Sequence, residues 1–200
     1  MKAFVTFLFV IIITQLLFSQ QFLTGSAYVD TREFNAISLE GQNELGPVQA
    51  YAFTDFFTSE VNSTNIVNAY GELKLATRIT GPHRLLYEYN DGAGTPTHRF
   101  GYQLDVKSNW LRKIRVLPLS LNGGSVSGQV SMAIFWAKNK WAVSVFGDLN
   151  NDYHGRWSGI TEVEGRLSFS KKIYLATEVE LNNFGDSFKI GIALGIGVKF

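Results

Sequence analysis

The sequence predicts an all-β protein, a transmembrane antiparallel up-and-down β-barrel. Three observations lead to this prediction: an apolar N-terminal segment, a remaining chain without a comparable apolar run, and an alternation of apolar and polar side chains that recurs up to Phe200. A membrane helix needs about 20 apolar residues, whereas a tilted membrane strand needs about 10. Strands cross a bilayer when they close into a barrel, because closure leaves no backbone hydrogen-bonding group unpaired.

The first 20 residues have the pattern of a secretory signal peptide. Lys2 precedes an apolar run from Phe4 to Phe18, and Ser19 and Gln20 follow it. This run is shorter than a membrane helix requires, no cluster of positive charges follows it, and no cysteine marks a lipoprotein signal. We therefore expect residues 1–20 to be a signal peptide and residues 21–200 to form an outer-membrane β-barrel.

Composition argues against several classes of function. Lys and Arg number 18 against 17 Asp and Glu, so no basic field favours nucleic acid as a partner. The chain has no cysteine, which excludes disulfides and thiolate metal ligands. His83, His98 and His154 lie far apart, without the spacing of a metal site or the support for a catalytic triad. We expect no enzyme activity, no metal and no cofactor.

The last strand is the clearest. Between Lys189 and Phe200, bulky apolar residues occupy every second position, and glycine, alanine and lysine occupy the others. A period of two over this length indicates a strand with one apolar face. The same alternation recurs in the segments 70–79, 98–106, 141–150, 160–169 and 173–182.

The remaining strands are less regular. Segments 85–90 and 129–136 fit the alternation less well, and the pattern does not determine the facing of 34–41, 48–57 and 114–121. Pro118 indicates a bulge or irregularity in the last of these. Together with a weak strand at 22–29 the count is twelve, and single-chain bacterial barrels have an even number of strands. Ten strands are the alternative, if the pair around 107–121 does not form.

The breaks between strands also follow the pattern of an outer-membrane barrel. Short breaks at 43–47, 80–83, 138–140 and 170–172 alternate with longer polar breaks at 58–68, 90–97, 122–127, 151–158 and 183–188. In these barrels short turns face the periplasm and long loops face outward, so both chain ends are predicted to be periplasmic. A long break at 107–113 is an exception.

Aromatic residues near the short breaks suggest an interfacial girdle. Trp136, Trp141, Phe169 and Phe200 would all lie near the periplasmic interface. Ordinary β-propensity is the alternative explanation. Phe200 closes an apolar terminal strand, and we expect it to act as an assembly signal for the barrel-assembly machinery.

Charged residues fall on the polar face of the predicted strands and are the candidate pore-lining residues. They are Glu72, Lys74, Arg78, Glu88, Arg99, Asp105, Asp148, Glu162, Glu164, Arg166, Glu178 and Glu180. With Arg84 they comprise eight acidic and five basic groups, which predicts a weak preference for cations. Either these groups fill the lumen with ion pairs or they surround a narrow hydrated pore. Tyr70, Phe146 and Tyr174 are candidates for stacking on a ring-shaped solute.

Four short stretches resemble the nucleoside-specific outer-membrane channel-forming porin family and its short relatives of unknown function. They read N-A-Y-G-E-L at 68–73, Y-E-Y-N-D-G at 87–92, V-F-G-D at 145–148 and T-E-V-E-L-N-N-F at 177–184. The resemblance implies a monomeric twelve-stranded barrel with a narrow pore for nucleosides. It also implies that Glu72, Glu88, Asp148, Glu178 and Glu180 line that pore.

The sequence thus predicts an outer-membrane channel that passes small solutes, with nucleosides as candidates. A closed structural or adhesion barrel that acts through its outer loops is the first alternative, and a lipid-modifying barrel enzyme is the second. The expected partners are outer-membrane lipids, the barrel-assembly machinery and a small-molecule solute.

Overall fold

The computed structural model describes residues 22–31, 34–58, 66–92, 95–183 and 188–200. The predicted signal peptide lies outside these ranges. The described chain forms twelve strands, with these bounds: β1 Phe22–Asp30, β2 Asn35–Leu45, β3 Val48–Thr58, β4 Ile66–Thr80, β5 His83–Asp91, β6 Thr97–Asp105, β7 Leu111–Asn122, β8 Ser125–Lys138, β9 Trp141–Asn151, β10 Trp157–Ser168, β11 Ile173–Asn182 and β12 Lys189–Lys199. No helix in the described ranges is long and apolar enough to span a bilayer.

The strands form one closed antiparallel sheet. Each strand pairs with its neighbours along the chain, and β1 pairs with β12 from Thr24 opposite Lys199 to Asp30 opposite Ala193. The backbone N–H of Phe200 also donates to the carbonyl oxygen of Leu23 at 3.1 Å. Since the weak first strand closes the barrel, the prediction of an up-and-down barrel with twelve strands is confirmed.

The barrel has two distinct ends. The connections after β2, β4, β6, β8 and β10 lie at the same end as the two chain ends, and we call this the short-turn end. The connections after the odd-numbered strands lie at the opposite end, which we call the loop end. Tight reversals at the short-turn end use the left-handed region at Gly46, Gly81 and Asn139, with φ of 61°, 51° and 56°.

One predicted loop is absent from the loop end. Residues 122–127, expected to form a long polar break, instead form the end of β7, a two-residue turn and the start of β8. Gly123 and Gly124 both adopt positive φ, at 54° and 98°. This glycine pair permits the tight turn that the polar composition of the segment obscured.

Strand β7 is irregular at the predicted place. Its register shifts against β8 between Leu117 and Ser120, which brackets Pro118. The register against β6 shifts in the same region, between Phe100 and Tyr102. Gly101 lies opposite the distortion, and the carbonyl of Val116 occupies the space that a β-carbon would need there. The bulge therefore depends on proline in one strand and glycine in its neighbour.

The outer face of the barrel is apolar. On β12 the exposed side chains include Ile190, Ile192, Leu194 and Ile196, in the alternation seen in the sequence. A second set of exposed apolar and aromatic side chains lies at the short-turn end, and it comprises Trp110, Trp136, Trp141, Phe169 and Phe200. The aromatic residues thus have the position that an interfacial girdle requires.

Candidate functional site: the barrel lumen

Register and contacts between distant strands identify the inner face. Lys74 on β4 pairs with Glu88 on β5, and Glu88 pairs with Arg99 on β6. The Lys74 ammonium lies 5.0 Å from the ring centroid of Phe146 on β9, so these side chains meet across the lumen. The same parity places all twelve candidate lining residues on the inner face, although Arg78 lies exposed at the short-turn end.

Four of these residues form the central ion-pair cluster: Glu72, Lys74 and Glu88 are buried, and Arg99 is partly exposed. The Lys74 ammonium contacts the Glu72 carboxylate and lies 3.4 Å from Glu88 Oε2. Arg99 Nη1 donates to Glu88 Oε1 at 2.5 Å. Glu88 retains only 1% of its accessible surface, so its carboxylate depends on these two cations to replace water.

A second cluster joins β10 to β2. The Arg166 guanidinium donates to Glu164 at 2.7 Å and to Glu40 at 3.4 Å. Tyr28 Oη donates to Glu164 at 2.9 Å, and Tyr51 Oη donates to Glu40 at 3.1 Å. Because these strands are not neighbours in the sheet, this Arg166 cluster also reaches across part of the lumen.

A third network narrows the short-turn end. Lys113 on β7 donates to Gln49 on β3 at 2.7 Å and to Gln42 on β2 at 3.3 Å. Arg84 on β5 donates to Asp105 at 2.6 Å, and its guanidinium lies 3.6 Å from Glu44 on β2. Long polar side chains from opposite walls therefore meet here, and they restrict the size of anything that enters.

The inner face towards the loop end is acidic. Glu162 on β10 pairs with Glu180 on β11, and Glu164 pairs with Glu178. The charged groups close enough to interact electrostatically with Glu162 include Glu178, Glu180 and Asp55, all of which are carboxylates. Several of these acids accept hydrogen bonds: Ser38 bonds Asp55, Asn182 bonds Glu180, and Gln129 Nε2 donates to Asp148 at 2.8 Å.

One expected stacking residue is not available to a solute. Tyr174 is completely buried, since its ring lies on Gly197 and its hydroxyl pairs with Ser26 Oγ at 2.6 Å. Arg166 lies over the same ring, at 5.1 Å from its centroid. The prediction that Tyr174 stacks on a solute is therefore wrong, whereas Tyr70 and Phe146 remain partly exposed on the inner face.

The structure adds inward charges that the alternation did not reveal. Most lie on strands whose facing the sequence left undetermined, and they are Asp30, Glu40, Glu44, Asp55, Lys113 and Arg115. On β3 the usual size pattern is reversed. The bulky Tyr51 and Phe53 face inward, and the small Ala50 and Ala52 pack on the outer face against Leu73 and Leu75. Alternation of hydrophobicity therefore does not distinguish the two faces of this strand. The available signal was the row of Glu40, Gln42 and Glu44, long polar side chains at alternate positions of one strand.

Solved porins have the same fold. A KdgM porin structure has a TM-score of 0.56 at 8% identity, over 90% of this chain and 99% of that one. A NanC porin in a rhombohedral crystal form has a TM-score of 0.57 at 11% identity, over 89% and 98%. A KdgM porin in complex with disordered oligogalacturonate has a TM-score of 0.53 at 9% identity, over 90% and 99%. No protein-family model and no curated protein sequence matches the chain.

The class of fold is therefore that of a porin-type barrel. Its twelve strands, its closure between the first and last strand and its polar inner face agree with that class. The nucleoside-specific family suggested by the sequence is not confirmed by these comparisons.

Proposed function

We propose that the protein is an outer-membrane channel for small solutes. One observation carries this proposal: the closed barrel has apolar side chains outside and ionisable side chains throughout its inner face. An Arg or Lys on the lipid face at mid-bilayer depth costs about 2–4 kcal/mol, so this distribution suits a bilayer outside and water or ion pairs inside. The likeness of the fold to porins supports the same conclusion.

The location follows from the same features. The exposed aromatic set at the short-turn end suits the periplasmic interface, which would place the loop end outside the cell. The N-terminal 20 residues would direct export and be removed. Mass spectrometry of outer-membrane fractions tests this, because the mature protein should begin near Gln20 or Gln21, and a mass that retains Met1–Phe18 contradicts it.

The solute must be small. Side chains from opposite walls meet at the central ion-pair cluster and again where Lys113 reaches Gln42. The partly exposed rings of Tyr51, Phe53 and Phe146 offer apolar faces beside charged groups, an arrangement that suits a flat polar ring such as a nucleoside base. We therefore retain nucleosides as the candidate solute. An anionic oligosaccharide suits these inward carboxylates less well.

Conductance of the refolded protein in planar bilayers tests the proposal directly. We expect discrete, small channel openings in salt alone, and a concentration-dependent reduction when nucleosides occupy the pore. Free ribose is the matched control, because it lacks the base that the aromatic rings would contact.

The absence of conductance in correctly folded protein contradicts the channel. It favours instead a closed barrel that acts through its loops, for which the connection between β9 and β10 is a candidate surface. Hydrolysis or acyl transfer on lipid substrates by the same preparation would indicate a barrel enzyme.

A further inference from the structure

The two halves of the lumen differ in how tightly they are filled. Along β4 to β8, the inward side chains near mid-height are almost completely buried, and they include Lys74, Glu88, Gln103, Leu117 and Ser131. Along β9, β10, β2 and β3, inward side chains at comparable heights remain partly exposed, among them Ser144, Glu162, Glu40 and Asp55. Free space is therefore concentrated on one side of the barrel.

Direct contacts explain why the first half is filled. The central ion-pair cluster satisfies its charges internally, and Lys74 reaches Phe146 on β9 as a bridge across the lumen. Nearer the short-turn end than this cluster, Ala76, Leu86 and Leu117 pack together as a small apolar group inside the barrel. A solute in this half would have to break buried ion pairs and separate packed apolar side chains.

The wall formed by β11, β12 and β1 is also covered. Tyr28 and Tyr174 lie flat on Gly195 and Gly197, with Ala176 and Ala193 packed against them. The Arg166 cluster extends over the inner side of this wall, from Glu164 on β10 to Glu40 on β2. The remaining space is a slit between β9–β10 on one side and β2–β3 on the other, which we call the acidic slit.

Acidic and basic side chains are also distributed unevenly between the two halves of the lumen. Away from the barrel ends, the described ionisable residues that face the slit from its four strands are Glu40, Asp55, Asp148, Glu162, Glu164 and Arg166. Five of these six are acids. The buried ionisable residues of the filled half are Glu72, Lys74, Arg84, Glu88 and Arg115, of which three are cations. The excess of acids in the lumen is therefore concentrated along the slit, whereas cations predominate among the buried groups of the filled half.

We propose that solutes cross the barrel only through the acidic slit, and that among charged solutes the slit selects cations, such as small organic amines and alkali-metal ions, over anions. This inference rests on the proposed channel function and specifies its path and its charge selectivity. A narrow cleft lined by one sign of charge concentrates ions of the opposite sign, because low-dielectric walls focus the field. Lys74, Arg84 and Arg99 do not oppose this, since each is paired with a carboxylate within the filled half. Arg166 is paired with Glu164 and Glu40, so four acids of the slit are left in excess.

Single cysteines can test the path, because the chain contains none. Ser144→Cys places a thiol in the slit on β9, and Ser131→Cys places one in the filled half on the adjacent β8. Ser131 is 2% exposed, and its hydroxyl has no hydrogen-bond partner among the described residues, so the substitution breaks no bond. Ser38→Cys and Ser120→Cys form a second matched pair on β2 and β7.

Each variant is refolded into bilayers and treated with a cationic or an anionic methanethiosulfonate while its conductance is recorded. We expect rapid reaction and reduced conductance for Ser144→Cys and Ser38→Cys, and no reaction for Ser131→Cys and Ser120→Cys. In the slit the cationic reagent should react about tenfold faster than the anionic one, and high salt should reduce this ratio.

The outcomes separate this inference from the channel proposal. If the wild-type barrel conducts but Ser131→Cys reacts as fast as Ser144→Cys, the slit is wrong and the channel remains. If Ser144→Cys reacts faster with the anionic reagent, the selection of cations is wrong. If folded wild-type protein does not conduct, the channel proposal itself fails.

Discussion

The ring of Tyr174 lies directly on Gly197, its register partner on β12, in the space where any other residue would carry a β-carbon. The contact brings Tyr174 Oη within 2.6 Å of Ser26 Oγ on β1, so one side chain spans three strands next to the closure of the barrel. The glycine is thus a packing requirement of the lumen wall.

Gly197→Ala should therefore destabilise the barrel by about 1–3 kcal/mol, because the new methyl group must displace the ring of Tyr174. Urea unfolding of the refolded protein, followed by its heat-dependent mobility on gels, measures the change. Gly147→Ala is the control, since its β-carbon would lie 3.6 Å from Thr161 Oγ1 and meet no ring. Equal stability of the two variants would contradict the packing role of Gly197.

Glu88→Gln should destabilise the protein more strongly. Removal of one partner from a buried ion pair costs about 3–5 kcal/mol, because it leaves the buried Lys74 and the partly exposed Arg99 with less compensation. The same unfolding assay applies. Glu44→Gln is the matched control: Glu44 is more exposed and lies 3.6 Å from Arg84, so its loss should cost about 1 kcal/mol or less. A smaller loss for Glu88→Gln than for Glu44→Gln contradicts the argument.

Phe200 should be required for assembly. Deletion of Phe200, or Phe200→Asp, should reduce the amount of heat-modifiable barrel in the outer membrane and leave unassembled protein in the periplasm. The side chain is 74% exposed and thus contributes little to the barrel itself, so a large effect would point to recognition during assembly. Phe169→Asp is the control, because Phe169 is also exposed at the short-turn end. Normal assembly without Phe200 disproves the prediction.

The double variant Glu178→Gln and Glu180→Gln should shift selectivity towards anions while folding remains nearly intact. Both residues lie on the inner face beside Glu164 and Glu162, which line the acidic slit, so neutralisation weakens the attraction for cations in that slit. The reversal potential in a salt gradient measures the shift. Asp152→Asn, in the connection between β9 and β10, removes an acid outside the strands and should leave the potential unchanged.

Asp152 should organise the connection after β9 in a pH-dependent manner. The backbone N–H groups of His154 and Arg156 donate to Asp152 Oδ1 at 2.8 and 3.0 Å, and they hold the pKa of this carboxyl below its ordinary value. A depressed pKa means that the contacts stabilise the folded connection above the ordinary pKa of aspartate. This contribution disappears as the pH falls through the lower, folded value.

Nuclear magnetic resonance of the refolded barrel measures this titration. The Asp152 carboxyl and the amides of His154 and Arg156 should change together, with a midpoint below that of aspartate in an unstructured peptide. The amide transition should vanish in Asp152→Asn. A midpoint at or above the peptide value is incompatible with the hydrogen bonds to His154 and Arg156.

The sequence by itself determined the class of fold and the facing of its regular strands. Alternation from Lys189 to Phe200 is local information, because successive side chains of a strand point to opposite faces whatever surrounds them. The same reasoning placed Glu178 and Glu180 inside. Parity favoured twelve strands over eleven and left ten as the alternative, and the structure decides for twelve because the weak segment at 22–29 forms β1.

Only the tertiary structure decided which inward residues meet. Lys74 and Phe146 are far apart in the chain, and their contact across the lumen depends on the curvature and stagger of the closed sheet. The alternation predicts that Tyr174 and Phe146 both face inward. In the structure Tyr174 is buried on a glycine of the neighbouring strand, whereas Phe146 remains partly exposed. Whether an inward side chain is paired, covered or open to the slit depends on distant strands, which a local pattern does not record.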